Sequence, residues 1–234
     1  MSTVEGEDSA RSPVRDEQPA PQPAPQPPPR SAPRRTALRR WAFTTGYLGL
    51  ASALALALFF ALADPFGVQL RTWYWLGPAN DVLSIALAPA QIVAALLLWR
   101  ALAPSATLGA LAVVMSLATA YLAVTTVRML MGGATLDDQY VAAIPAIVLM
   151  FGFLIAVGLV GLVRARMCHI LARWAVVIGS AGLAALLVFA IGFLLPAGSA
   201  GQWAVFIIGG VAGAFAYVAY PVWWLVVGSI PLQR

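Results

Sequence analysis

Residues Val141 to Val163 read VAAIPAIVLMFGFLIAVGLVGLV, 23 positions without a charged, amide or hydroxyl side chain. As an α-helix this stretch is roughly 35 Å long at ~1.5 Å per residue. That covers the ~30 Å hydrocarbon core of a bilayer. The run is apolar all round rather than along one stripe, as expected where lipid and not water faces the outside of a helix. Working outward, five further apolar runs of similar length lie at about 43–63, 82–99, 106–127, 174–195 and 203–228. The expected fold is therefore an all-α membrane protein, a bundle of six transmembrane helices within residues 37–234.

Composition agrees. Of the 234 residues 61% are hydrophobic and 10% charged, where a soluble domain carries about 25% charged residues. The charges are also segregated, with 12 of 23 in the first 40 positions. Residues 1–36 read as a disordered tail, small and polar, with a Pro-Ala-Pro-Gln repeat from Pro19 to Pro29. Such a segment favours solvated polyproline II and serves as a solubilising spacer or as a docking peptide for a groove-type partner. It is not a signal peptide, because the first apolar run starts beyond position 40 and lacks a small-residue cleavage pattern.

The arginines orient the bundle. With the tail inside, twelve Arg fall on the inner side, among them Arg39, Arg40, Arg100, Arg164, Arg166 and Arg173 at span ends, and two outside, Arg71 and Arg128. This bias predicts a multi-pass protein of the cell membrane with both termini cytoplasmic. The acids of the body, Asp64, Asp81, Asp137 and Asp138, all map to the outer face. Tryptophan prefers the interfaces, and the same topology puts Trp41, Trp99, Trp174, Trp223 and Trp224 at the inner boundary and Trp73, Trp75 and Trp203 at the outer one.

Several chemistries lose their residues. There is no Lys, which removes retinal and pyridoxal Schiff bases, and a single Cys168 and a single His169 leave no disulfide, zinc site or bis-His haem within one chain. No cofactor and no metal is expected. The net charge of +5 is carried by Arg alone, and half of the Arg lies within the first 40 positions, a pattern that fits membrane orientation and not nucleic acid. The interior of the spans holds no ionisable side chain apart from tyrosine hydroxyls, which argues against ion-coupled transport and intramembrane acid–base catalysis.

A few residues remain as candidates. The segment from Asp64 to Asp81, DPFGVQLRTWYWLGPAND, is long and aromatic; Trp73 and Trp75 either anchor it in the interface or close a crevice as a lid. Asp81 is expected to cap span 2 after Pro78 and Asn80, and is the one weak catalytic candidate, as a general acid at the mouth of the bundle. Thr135 and Asp138 have capping-box spacing ahead of span 4. Gln91, two residues after Pro89, is the best polar ligand-binding candidate inside the spans, with helix-to-helix hydrogen bonding as its plainer role. Pro89 and Pro221 are expected to kink or end their helices. Gly209 and Gly213 have the small-xxx-small spacing of close helix packing, within the chain or in a homodimer.

Three stretches, Tyr74 to Asp81 (YWLGPAND), Thr135 to Tyr140 (TLDDQY) and Tyr220 to Gly228 (YPVWWLVVG), resemble a family of uncharacterised six-helix integral membrane proteins of actinobacteria and related groups. That resemblance implies similar topology over residues 43–230, without a reaction. Three functions are therefore carried forward. The first is a bundle without catalytic chemistry that acts through the lipid bilayer or a membrane protein partner. The second is the membrane subunit of an ABC-2-type exporter, and the third a lipid-modifying or cyclising enzyme using Asp81.

Overall fold

Each long apolar run winds into one helix, and Gly, Pro or Ser marks most of the breaks, the one at 165–168 turning instead through Ala165 at φ 50°. The computed structural model describes residues 32–62, 71–102 and 105–230. These form α1 (Ala32–Leu62), a single 3-10 turn at Arg71–Trp73, α2 (Leu76–Leu102), α3 (Ala106–Leu130), α4 (Leu136–Arg164), α5 (His169–Leu194) and α6 (Ala200–Ser229). There is no strand among the described residues, and all six helices are long and apolar enough to cross a membrane. They run past the ends of the expected spans, since a helix need not stop at the hydrocarbon boundary. α1 begins at Ala32, so the last residues of the expected tail are helical. Pro33 sits in the first turn, where its missing N–H costs nothing. Residues 1–31, the rest of that tail, lie outside the described residues.

Hydroxyl side chains start three of the helices. Ser105, Thr135 and Ser199 accept from the amides of Leu108, Asp138 and Gln202 at 3.3, 3.2 and 3.2 Å. At α4 the expected capping box is complete, because Asp138 Oδ2 also accepts from the Thr135 amide at 2.8 Å. Arg128 donates to the Gly133 carbonyl at 3.1 Å across the turn between α3 and α4.

The helices alternate in direction, each packing on its neighbours in sequence, and α6 returns to pack on α1. This closes a ring, across which α2 also meets α4. Lipid tails are as apolar as leucine, so there is little hydrophobic drive between such helices and close packing must hold them together. Glycine supplies the closeness. A Cβ on Gly158 of α4 would stand 2.6 Å from the Ala172 carbonyl oxygen, and one on Gly182 of α5 would stand 2.4 Å from the Phe151 ring. The α1–α6 closure uses the same device, since a Cβ on Gly49 would lie 2.8 Å from Cβ of Pro221. Gly209 and Gly213 face Ala185 and Phe189 of α5, so their spacing serves packing within the chain.

Pro89, Pro145 and Pro221 all lie inside continuous helices. Of the two outcomes expected at Pro89 and Pro221, a kink or an end, the helices do not end there. One missing hydrogen bond does not stop a helix whose flanking turns are held by neighbours, and the glycine gap on α1 accommodates the Pro221 ring.

The packed core occupies one half of the ring. It lies toward the end where α1 begins and α6 ends, here the near end, and is built from Leu98, Met115, Leu154, Ile178, Trp223 and Trp224 with their neighbours. Phe151, Tyr220, Trp224 and Trp223 form a chain of edge-to-face aromatic contacts with centroids 6.4, 6.3 and 5.1 Å apart. Trp223 Nε1 donates to the Leu171 carbonyl on α5 at 3.0 Å. Among the described charges, Arg39, Arg40, Arg100, Arg164, Arg166 and Arg173 belong to the near end, and Asp81, Arg128, Asp137 and Asp138 to the far end.

Candidate functional site

The polar side chains that join helices gather between the core and the far end. Asn80, Ser84 and Gln91 are four and seven residues apart, which puts them on one face of α2. Opposite the first two stands Ser52 of α1, buried to 1% exposure. Its hydroxyl donates to Asn80 Oδ1 at 2.7 Å and lies 3.2 Å from both Ser84 Oγ and the Tyr217 hydroxyl. A single hydroxyl thus connects α1, α2 and α6.

A second bridge spans the ring. Gln139, the residue after the α4 capping box, donates through Nε2 to Asp81 Oδ1 at 3.2 Å and to Thr126 Oγ1 at 3.1 Å. Thr126 in turn donates to the Leu122 carbonyl at 2.9 Å. One amide therefore ties α2, α3 and α4 together at the far end.

Asp81 is not the helix cap that the sequence suggests. α2 starts five residues earlier, at Leu76, and Asp81 occupies its second turn. The reason is local: Pro78 falls in the first turn, where proline is tolerated, while the amides of Gly77 and Ala79 bond to the carbonyls of Tyr74 and Trp75 at 3.2 and 3.0 Å. The extra turn moves the half-buried Asp81 carboxylate into reach of α4.

The other acids of the suggested outer cluster take different roles. Asp138 is engaged in capping and Asp137 is exposed. Asp64, and the side chain of Arg71, lie outside the described residues. Among the described residues there is no group of three His, Cys, Asp or Glu able to hold a metal ion. Cys168 is a half-exposed free thiol beside an exposed His169.

Trp73 and Trp75 are 40% and 57% exposed, with ring centroids 6.4 Å apart, just before α2. Gln91 lies sixteen residues beyond Trp75, roughly 24 Å along a helix, and is 5% exposed. The aromatic pair and the amide therefore stand at different levels of the bundle. No described residue hydrogen-bonds the Gln91 side chain. Buried Trp224 Nε1 makes no hydrogen bond of ordinary geometry and has the Tyr220 side chain beside it.

Gln139 and the meeting of Ser52 with Tyr217 are what sequence reasoning missed. Gln139 carries a weak signal, an amide directly behind a capping box at a span end. The Ser52–Tyr217 contact joins residues 165 positions apart and has no local signal. No protein-family model, no curated protein and no solved structure matches this chain.

Proposed function

We propose that this chain is a multi-pass scaffold of the cell membrane that acts through lipid and protein contacts without turning over a substrate, with both termini on the cytoplasmic side. The observation that carries this reading is the use made of its polar groups. Asn80, Ser84 and Tyr217 each bond to Ser52, and Asp81 and Thr126 each accept from Gln139. Thr45, Ser116 and Thr125 return their hydroxyls to the carbonyls of Trp41, Ala112 and Tyr121 in their own helices. This is how a bundle holds itself together, rather than how a site receives a guest. The Arg bias toward the near end supports the orientation.

Neither competing reading gains a specific observation. An exporter subunit needs a segment that couples to an ATPase, whereas the near-end links after α2 and α4 are three and four residues long. An enzyme using Asp81 needs that carboxylate free for substrate, and it is engaged with Gln139.

The test is isolation of the full chain from native membranes in polymer nanodiscs, followed by mass spectrometry of what accompanies it. The scaffold reading expects lipids and membrane proteins in amounts unchanged by Asp81→Asn. A stoichiometric ATPase would overturn it in favour of the exporter, and a lipid product lost on Asp81→Asn with normal folding would overturn it in favour of the enzyme. The orientation is tested at Cys168, the single thiol. An impermeant maleimide added to intact cells should leave it unlabelled and should label it in inverted vesicles.

A further inference from the structure

We propose that the outward face of α5 at the near end is a binding site for an anionic phospholipid, with Arg173 holding the phosphate. This deepens the contact-based reading above and rests on it. Ile170, Arg173, Trp174 and Val177 fall at helical spacing of three and four on one face of α5, and together they border an open, shallow depression on its surface. None packs inside the bundle: Ile170, Trp174 and Val177 are 67%, 48% and 49% exposed, and Arg173 is exposed as well. Three apolar walls around one guanidinium match an acyl chain joined to a phosphate.

Placement makes the match specific. Arg173 stands one turn inside α5, with Ile170 on the side of the helix start and Trp174 and Val177 on the side of the bundle centre. A guanidinium set within an apolar, lipid-facing stripe either stretches its stem to reach water or meets an anion at its own level. Among the described residues no carboxylate stands near it. The described carboxylates, Asp81, Asp137 and Asp138, are at the opposite end of the bundle, while Arg164 and Arg166 close the neighbouring end of α4 and add to the positive field. Arginine presents a planar fork to phosphate oxygens, and the indole of Trp174 sits well at headgroup depth. A neutral, zwitterionic headgroup would bring its own cation to a place already rich in arginine. The charge complement is therefore an anionic lipid.

The test uses the full chain, delipidated in mild detergent and titrated with phosphatidylglycerol or with phosphatidylcholine of the same acyl chains, bound lipid being read by native mass spectrometry. Phosphatidylglycerol is expected to bind in preference, and Arg173→Gln to weaken it about fivefold, the ratio that follows from the contribution of one Arg near an anionic surface. Arg128→Gln, at the far end, should leave the affinity unchanged and show that the loss is local. Equal binding of the two lipids, or an Arg173→Gln protein that keeps its preference, would overturn the proposal. Competition by millimolar inorganic phosphate alone would overturn it too, by showing a site for a free anion. A stoichiometric ATPase partner would defeat the scaffold reading while leaving this lipid preference in place, so the two failures are distinguishable.

Discussion

Gln139 of α4 donates to the Asp81 carboxylate of α2 across 3.2 Å, and this bond crosses a ring in which the two helices are not neighbours in sequence. Its existence depends on α2 beginning at Leu76, because a helix begun at Asp81 would leave the carboxylate facing the amides of its own first turn.

The pair should behave as a coupled unit. Asp81→Ala and Gln139→Ala are each expected to lower stability, and the double variant to lose less than their sum. Interhelical hydrogen bonds of this kind average about 0.6 kcal/mol by double-mutant cycles, with an upper range near 1.7 kcal/mol. Unfolding in mixed micelles measures the cycle; strict additivity would show that the bond contributes nothing. Asp81→Asn keeps an acceptor at Oδ1 and should be close to neutral.

Ser52 is expected to matter more than any of its three partners. Ser52→Ala removes the one hydroxyl common to Asn80, Ser84 and Tyr217 and should cost about 1 to 2 kcal/mol. Tyr217→Phe removes a single bond at the margin and should cost less than ~1 kcal/mol. The order of the two midpoints is the measurement, and a reversed order would refute the hub.

The glycines divide into two groups by what stands beside them. A Cβ on Gly158 would lie 2.6 Å from a backbone oxygen of α5, which has no rotamer by which to yield, whereas nothing lies within 4 Å of a Cβ on Gly152. Gly158→Ala should cost about 1 to 3 kcal/mol through overpacking, and Gly152→Ala should be neutral or slightly stabilising. Comparable thermal midpoints for the two variants would contradict the α4–α5 packing.

Two adjacent tryptophans offer an internal control. Trp223 donates to the Leu171 carbonyl at 3.0 Å, whereas Trp224 Nε1 has only the Tyr220 side chain beside it and makes no bond of ordinary geometry. Replacement by Phe removes similar ring area from both. It breaks a well-formed bond at Trp223 and removes a poorly partnered donor at Trp224, so Trp223→Phe should be the more destabilising, by about 1 kcal/mol. Paired denaturation curves decide this.

Much of the fold was legible in the sequence, since the signals involved are local. Hydropathy over ~20 residues sets the six helices, and Thr135 with Asp138, or Ser105 and Ser199, set where some of them begin. The segregation of most Arg from Asp along the chain placed them at opposite ends of the bundle once the helices alternated, with Arg128 the described exception. Asp81 lies inside α2 and not at its cap because Pro78 is tolerated in a first turn and does not break the helix.

The sequence by itself determined six helical segments of membrane length and the end at which each charge among the described residues sits. Tertiary structure decided that α6 closes on α1, that the core fills only the near half of the ring, and that Ser52 meets Tyr217 and Asp81 meets Gln139. The physical reason lies in the helices themselves. A helix apolar all round has no stripe to mark its inner face. Which side turns inward is settled by where glycines let two backbones approach and by which polar side chains then find each other, over separations of up to 165 residues.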